Sequence, residues 1–200
     1  MADTLTENTP TIVVIAGPNG AGKSTTAPVL LDELLGLREF VNADAIAQGL
    51  SAYAPEEVAL QAGRVMLSRL RQLAKARKSF AFETTLASRS FAPWLRKQKA
   101  AGYTVCMLFL YLPSPEFALG RVAERVRSGG HHVPEKLVRR RYEAGLENFF
   151  RLYQPLLDTW WFYGTTQAGE PQMIAASRLG ELDTIQSALW QGIEERYGNR

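Results

Sequence analysis

The sequence has a single cysteine and no long apolar run, and both absences restrict what the chain can be. Cys106 lies within VCMLFLYL, so an intramolecular disulfide is impossible and a buried, reduced thiol is expected. No segment approaches the ~20 apolar residues of a membrane-spanning helix. The first ten residues, MADTLTENTP, lack the charged-then-apolar pattern of a signal peptide. We therefore expect a cytoplasmic protein without a membrane partner.

Signatures of two large nucleotide-binding classes are also missing. A transporter ATPase needs an LSGGQ-like segment followed by a strand that ends in Asp-Glu. SGGHH at 128–132 imitates the segment, but a basic helix follows it, and the strand-like YTVCMLFLYL ends in Leu-Pro-Ser-Pro. A switch GTPase reads guanine with Asn-Lys-x-Asp, and the chain contains no Asn-Lys pair. These absences argue against both classes.

The composition is that of an ordinary globular protein. Hydrophobic residues make up 46% of the 200 residues and charged residues 22%, close to the average for soluble domains. A chain of this length builds one sizeable core. We expect a disordered N-terminus at 1–10 and a single domain over 11–200, without internal repeats.

A phosphate-binding loop is the strongest motif. The segment GPNGAGKST satisfies G-x-x-x-x-G-K-[ST] directly after the strand-like TIVVIA and before a predicted helix at about 23–35. Its backbone N–H groups would surround the phosphates of ATP, Lys23 would reach the β/γ oxygens, and the Ser24 hydroxyl would bind Mg²⁺. The predicted nucleotide-binding residues are Gly17, Pro18, Asn19, Gly20, Ala21, Gly22, Lys23, Ser24 and Thr25.

Strands alternate with helices along the chain, which predicts a mainly parallel sheet covered by helices on both faces. The apolar YTVCMLFLYL is expected to be a central strand. After the fifth strand, the tail is expected to add one short strand, QMIAAS, and a helix at about 181–196. The five predicted main strands are TIVVIA, REFVNAD, SFAFETT, YTVCMLFLYL and WWFYGTT.

Two carboxylates end predicted strands, where ligands of doubly wound sheets bind. Asp44 ends VNAD and is either the base that takes a proton from an acceptor hydroxyl or an N-cap of the following turn. Glu83 stands in the apolar FAFETTL, so it needs a partner: metal-bound water, a substrate hydroxyl or an arginine. Thr84 and Thr85 follow and either bind substrate or cap the next helix.

Basic residues cluster between about 121 and 141. Arg121 and Arg125 lie one helical turn apart, and a Gly-Gly hinge leads to a second arginine-rich helix. Two such helices could close over a nucleotide as a lid, although a solvated face or a nucleic-acid groove gives a similar pattern. The adjacent pair His131 and His132 makes a poor metal site.

Taken in order, several motifs resemble the short zeta-toxin-like P-loop kinases. They are GPNGAGKST, VNADAIAQGLS, AGR, SFAFETTLASRS, GY and RVAERVRSGGHHVPEKLVRRRYEAGLENF, and they span roughly 11–165. The resemblance implies a three-layer, adenylate-kinase-like P-loop fold with a parallel five-stranded sheet. It also implies the use of ATP and Mg²⁺ to phosphorylate the sugar 3′-hydroxyl of UDP-N-acetylglucosamine, and an antitoxin that blocks the ATP site.

The resemblance also assigns roles to residues. By motif, Asp44 matches the catalytic base and Glu83 the glutamate on the substrate side, while Lys23 and Ser24 match the phosphate and metal positions. The lid arginines are assigned as Arg121, Arg125 and Arg140.

Two features depart from the family pattern. YGTT at 163–166 replaces an Asp-Asn-Ser found in short relatives, and the chain lacks a region that helps the toxins bind the sugar nucleotide.

The sequence is therefore compatible with three functions. The first is a kinase, an ATP-dependent phosphotransferase that acts on a hydroxyl of a sugar nucleotide or a similar small metabolite. The second changes the acceptor to a nucleoside or the 5′-hydroxyl of a nucleic acid, which we favour less. The third is a nucleotide-regulated binding module with only residual ATPase activity; carboxylates at two strand ends argue against it.

Overall fold

The structure, a computed structural model, describes residues 9–25, 37–130, 132–165 and 171–198. The helix after the phosphate loop begins at Lys23 as predicted, but its continuation and its predicted end at Gly36 lie outside these residues. Of the N-terminus predicted to be disordered over 1–10, residues 1–8 lie outside them as well. Within the described parts of the chain, no helix has the length and apolar character needed to cross a membrane.

Among the described residues, seven strands form one sheet in the order β2-β3-β1-β4-β5-β6-β7. The strands β2, β3, β1, β4 and β5 run parallel, and β6 and β7 continue the sheet antiparallel. The predicted α/β fold is confirmed, but the five parallel strands are only part of the sheet. The bounds are β1 Thr11–Ala16, β2 Phe40–Val41, β3 Phe80–Thr84, β4 Thr104–Tyr111, β5 Thr159–Thr165, β6 Pro171–Arg178 and β7 Glu181–Thr184.

The helices follow the predicted alternation. The helix that ends at Asn148 continues as a π-helical turn, Phe149–Tyr153, and a 3₁₀ turn, Gln154–Leu156. The bounds of the helices are α1 Ala43–Leu50, α2 Ala59–Lys75, α3 Phe91–Ala100, α4 Pro115–Arg127, α5 Glu135–Asn148 and α6 Ser187–Tyr197.

The C-terminal tail differs from the prediction of a single strand and a helix from 181. Leu179 and Gly180 have φ of 52° and 89°, the conformation of a two-residue hairpin turn. The turn pairs β6 with β7, and α6 begins only at Ser187. An apolar residue at the first turn position hides this signal, because asparagine or glycine is the usual residue there.

Strand β1 lies at the centre of the core. Its residues alternate between two apolar clusters: Ile12, Val14 and Ala16 belong to the main core, and Val13 and Ile15 to a smaller cluster. Both faces are therefore buried, as in a three-layer α/β fold. Because the chain leaves β1 for the edge strand β2 and later returns to β4 on the other side, a crevice forms where β1 ends.

Candidate active site

The loop after β1 depends on glycines with positive φ. Gly17, Gly20 and Gly22 have φ of 141°, 81° and 80°, a region that favours glycine. A Cβ on Gly17 would lie 2.3 Å from the carbonyl oxygen of Leu110, and one on Gly20 would lie 2.9 Å from the carbonyl oxygen of Ala118. The loop therefore packs directly against β4 and α4, which leaves no room for side chains at these positions.

Hydrogen bonds close the loop on itself. The N–H of Ala21 donates to the carbonyl oxygen of Pro18 at 3.2 Å, and the N–H of Thr25 donates to that of Gly22 at 3.0 Å. Two polar side chains of the loop are buried, Asn19 with 7% and Lys23 with 6% of the residue exposed. The segment has the shape of a phosphate cradle at the N-terminus of a helix.

Lys23 is buried within the loop. Its Nζ donates to the carbonyl oxygen of Pro18 at 2.8 Å and lies 3.8 Å from Oε1 of Glu83. Burial lowers the pKa of the Lys23 ammonium, while the nearby carboxylates of Glu83 and Asp44 oppose that shift. The amine is thus a desolvated cation directed at the loop, and we expect it to exchange the Pro18 carbonyl for phosphate oxygens.

The carboxylate of Glu83 belongs to a small polar network. Its Oε2 accepts hydrogen bonds from Oγ of Ser24 and from Nδ2 of Asn42, both at 2.8 Å. Strand register explains this contact, because Glu83 pairs with Ile15 near the end of β1 and so lies beside the phosphate loop. The partner that the sequence required for Glu83 is therefore a set of donors: the hydroxyl, the amide and the Lys23 ammonium.

Asp44 lies in the first turn of α1 and not at the end of a strand. Strand β2 ends at Val41, and Asn42 caps the helix by accepting from the backbone N–H of Asp44 at 2.7 Å and of Ala45 at 3.2 Å. The prediction that REFVNAD is a strand up to Asp44 is wrong, and so is the alternative that Asp44 is the N-cap. Its exposed side chain remains available to an acceptor.

Two cavities meet at these residues. The larger, of about 420 Å³, extends from the phosphate loop to α4. The smaller, of about 210 Å³, lies between α1, the end of β3 and α5. The two cavities share Asn19, Lys23, Asp44 and Glu83.

The cavities differ in their remaining walls. The larger has charged and polar side chains from α4 and the turn after it, whereas the smaller includes the apolar side chains of Ala43, Met66 and Phe91. Arg121, Glu124, Arg125 and Ser128 line the larger cavity, and Asn42, Met66, Thr84, Thr85, Phe91 and Arg141 line the smaller one. The arrangement is that of a phosphate side and an acceptor side separated by carboxylates.

The lid arginines divide between these cavities. Nε of Arg121 donates to the carbonyl oxygen of Gly20 at 3.1 Å, so this arginine braces the phosphate loop. Arg125 lines the larger cavity. Arg140 is exposed and lines neither cavity, whereas its neighbour Arg141 lines the smaller one.

Arg141 also contacts the phosphate loop directly, since its Nη1 donates to Oδ1 of Asn19 at 3.4 Å. Burial lowers the pKa of the Arg141 guanidinium, and the carboxylate of Asp44 opposes the shift. The structure therefore brings Arg141, and not Arg140, to the predicted catalytic residues.

The two threonines after Glu83 line the smaller cavity as the substrate prediction requires, but neither caps a helix. Oγ1 of Thr84 accepts from the N–H of Leu86 at 3.1 Å, and α3 begins later, after Ser90. Leu86 is fully buried with φ of 56°, an unusual conformation for a side chain of this kind. The backbone is thus sharply turned where the smaller cavity begins.

Other sequence predictions fall outside this site. His132 is exposed and His131 lies outside the described residues. Among the residues described, no group of three or more His, Cys, Asp or Glu side chains is placed to hold a metal ion. At the end of β5, Gly164 and Thr165 line a separate cavity of about 150 Å³, while Thr166 of YGTT is not described.

Sequence reasoning missed two residues of the site, although each carried a signal. Asn42 stands just before a helical segment, where asparagine is a favoured N-cap. Arg141 follows Val138 by three positions and precedes the buried Tyr142, so it lies next to the buried face of α5. Arg140, two positions after Val138, points to the other side. Helical phase could have distinguished the two arginines.

The zeta toxin family profile matches residues 1–157, more than half of the chain. The chain belongs to the zeta toxin family. An uncharacterized protein of Haemophilus influenzae is 28% identical over 130 residues, which are 65% of this chain and 91% of the relative. The resemblance seen in the motifs is thereby confirmed, and family and site together support a kinase-type, ATP-dependent phosphotransferase.

Two solved structures share the fold. The AvrRxo1-ORF1:AvrRxo1-ORF2 complex with ATP has a TM-score of 0.74 and 20% identity, over 92% of this chain and 63% of that one. A structure from the PezAT chromosomal toxin-antitoxin system of Streptococcus pneumoniae has a TM-score of 0.62 and 14% identity, over 98% of this chain and 89% of that one. The chain thus spans 63% of the length of the AvrRxo1 chain it matches.

Proposed function

We propose that the protein transfers the γ-phosphoryl group of ATP to a hydroxyl of a UDP-amino sugar such as UDP-N-acetylglucosamine. One observation carries the proposal: Asp44 and Glu83 line both the phosphate-side and the acceptor-side cavity. A carboxylate at that boundary can orient an acceptor hydroxyl toward a bound phosphate. A module that only senses nucleotide has no need of such a group.

The residues of the loop fit ATP with Mg²⁺. Oγ of Ser24 and Oε2 of Glu83 are 2.8 Å apart, and hydroxyl and carboxylate oxygens are the ligands that Mg²⁺ takes in nucleotide sites. Ser24 would hold the ion, with Glu83 beside it. Bound there, Mg²⁺ neutralises charge on the phosphates.

In this reaction the protein positions the substrates and stabilises charge, and it forms no covalent bond with the transferred group. Asp44 accepts the proton of the acceptor hydroxyl as the new bond between that oxygen and the γ-phosphorus forms. The bond from the γ-phosphorus to the β,γ-bridging oxygen breaks, and ADP leaves with its electron pair. Lys23, Arg125 and Arg141 surround the transferred group, where positive charge stabilises the transition state.

The size of the smaller cavity supports a small polar acceptor group. At about 210 Å³ it is below the roughly 300–1,000 Å³ of typical ligand pockets. It therefore suits a single sugar ring whose remaining groups extend outward. Met66 and Phe91 would contact the apolar face of the ring, while Thr84, Thr85 and Glu83 would bind its hydroxyls.

The defining experiment incubates the protein with Mg-ATP and a panel of sugar nucleotides, free sugars, nucleosides and short oligonucleotides. Mass spectrometry then searches for a product heavier by one phosphoryl group. We expect a phosphorylated UDP-amino sugar. Phosphorylation of an oligonucleotide that weakens steeply with salt would instead support the nucleic-acid kinase.

The matched variant is Asp44→Asn, which keeps size and helix position but removes the base. We expect transfer to fall by roughly 10²–10⁴-fold, the usual contribution of a general base, with ATP affinity unchanged. Transfer that survives within about tenfold would show that Asp44 is not the base.

We further propose an antitoxin partner that covers the ATP side. The similar structures named AvrRxo1-ORF1:AvrRxo1-ORF2 and PezAT each involve two components. Co-expression with candidate small proteins, followed by measurement of ATP affinity, tests this proposal. A bound partner that leaves ATP affinity unchanged would contradict it.

A further inference from the structure

A single amide connects the base of the proposed reaction to the carboxylate on the acceptor side. We propose that Asn42 is a positioning residue, which fixes the helical turn bearing Asp44 relative to the carboxylate of Glu83. The inference rests on the proposed function and deepens it, because it assigns a role to a residue that need not touch either substrate.

The orientation of this amide is set by α1. Oδ1 of Asn42 accepts from the N–H groups of Asp44 at 2.7 Å and Ala45 at 3.2 Å. Only an oxygen can accept both bonds, so the ambiguity between the amide oxygen and nitrogen is resolved by the helix itself. The NH₂ group must then face the opposite side, toward Glu83.

That opposite side is the polar network of the phosphate loop. Nδ2 of Asn42 lies 2.8 Å from Oε2 of Glu83 and 3.4 Å from Oγ of Ser24. The strand register brings the two residues side by side, because Val41 pairs with Phe82 and the next residues along the two strands are Asn42 and Glu83. One side chain thus touches α1, β3 and the phosphate loop.

This connection has a mechanistic consequence. The base and the acceptor-side carboxylate come from different elements, and their relative position decides whether an acceptor hydroxyl lies in line with the phosphate. A misplacement of about 1 Å at such a site costs on the order of 10²-fold in rate. Hydrogen bonds that a carboxylate accepts are also roughly twice as strong as hydrogen bonds between two neutral groups.

The test separates the two ends of the amide. Asn42→Ser keeps an N-cap acceptor but has no NH₂ group to reach Glu83, and Asn42→Asp keeps both shape and cap while it replaces the donor by a second carboxylate oxygen. Asn42→Ala removes both functions. For each variant, kcat and KM for the acceptor, ATP affinity and the melting temperature are measured.

We expect Asn42→Ser to melt close to the wild type and to lose at least about tenfold in kcat, with ATP affinity retained. Asn42→Asp should lose at least as much in kcat and should also melt lower, because its second carboxylate oxygen faces the carboxylate of Glu83. Asn42→Ala should lose activity and, without its cap, also about 2–4 °C in melting temperature. Wild-type kcat in both capped variants would reduce Asn42 to a helix cap and overturn the proposal.

A double-mutant cycle tests whether Asn42 acts through Glu83. In a Glu83→Gln background, Asn42→Ser should cost much less in kcat than it does in the wild type, because the contact is already altered. Fully additive costs would contradict a shared role.

Crystal structures of the wild type and Asn42→Ser provide a readout that is independent of any acceptor. We expect the Glu83 carboxylate to move away from the turn that bears Asp44, and an unchanged site would overturn the inference. A wild type that phosphorylates no acceptor refutes the proposed function, while the structural comparison still decides the role of Asn42.

Discussion

Arg141 of α5 reaches across the site and donates a hydrogen bond from Nη1 to Oδ1 of Asn19 in the phosphate loop at 3.4 Å. The contact joins two elements that are far apart in sequence. The neighbouring Arg140 is exposed and points away, so α5 supplies a matched pair of arginines, one at the site and one outside it.

The first prediction uses this pair. Arg141→Ala should lower kcat for phosphoryl transfer by roughly 10²-fold, as expected when a charge that stabilises the transition state is removed. Arg140→Ala should stay within about threefold of the wild type, because exposed positions away from a site change little. Steady-state kinetics with ATP and acceptor varied separately measures both. Similar losses in the two variants would contradict the assignment of Arg141.

The second prediction concerns Lys23 and pH. Because burial lowers the pKa of Lys23 from 10.5, the unfolded chain binds this proton more tightly than the native protein does. Between the two pKa values the unfolded state holds more protons, so the stability of the native protein rises with pH there. The melting temperature of the wild type should therefore increase relative to Lys23→Met as the pH approaches 10.5.

Thermal unfolding of both proteins, followed from about pH 7 upward, measures this difference. A difference that stays constant or reverses would mean that the buried lysine has an ordinary affinity for its proton. Lys23→Met also serves as the activity control, since phosphoryl transfer should be lost at every pH.

The third prediction concerns the contact between α5 and the turn after β3. A Cβ on Gly145 would lie 2.5 Å from the carbonyl oxygen of Thr85, which lines the acceptor-side cavity. Gly145→Ala should therefore displace this turn and destabilise the protein by about 1–3 kcal/mol. It should raise KM for the acceptor more than it changes ATP affinity.

The matched control is Gly192→Ala in α6, where a Cβ would meet nothing within 4 Å. Alanine at an open helical position stabilises by roughly 0.5–1 kcal/mol, so this variant should melt slightly higher and retain full activity. If Gly145→Ala behaves like Gly192→Ala, the two elements are not as closely packed as described.

The fourth prediction concerns the thiol. Burial raises the pKa of Cys106 to about 12, with the carboxylate of Asp158 adding to the shift. Since the thiolate is the reactive form, alkylation of the native protein near neutral pH should be slower than that of a free thiol by about 10³-fold or more. Labelling followed by mass spectrometry, with the denatured protein as the positive control, checks this. Rapid labelling of native protein would contradict the burial of Cys106.

The sequence alone was sufficient to predict those features that depend on residues close together in the chain. The glycines of the phosphate loop need positive φ, and the strand TIVVIA appears where its apolar pattern predicts it. Glu83 was placed beside the loop for a related reason, since a polar residue near the end of an apolar strand lies at the ligand-binding edge of a parallel sheet. Asp44 reaches the same edge from the first turn of α1.

Other features depended on how separate elements meet. Asn42 became part of the site because β2 pairs with β3 in a register that sets it beside Glu83. Arg141 was selected over Arg140 by the rotation of α5 about its own axis. The strand β7 formed because Leu179 adopts a turn conformation that its residue type does not favour.

The sequence by itself determined the phosphate loop, the alternation of strands and helices, and the presence of the two carboxylates. Each follows from backbone preference or from the pattern of apolar and polar residues. Only the tertiary structure decided which arginine and which amide join them. The N-cap preference of Asn42 and the helical phase of Arg141 are local signals, but strand register and the packing of α5 against the phosphate loop bring these side chains to the site, and both arise only when distant elements meet.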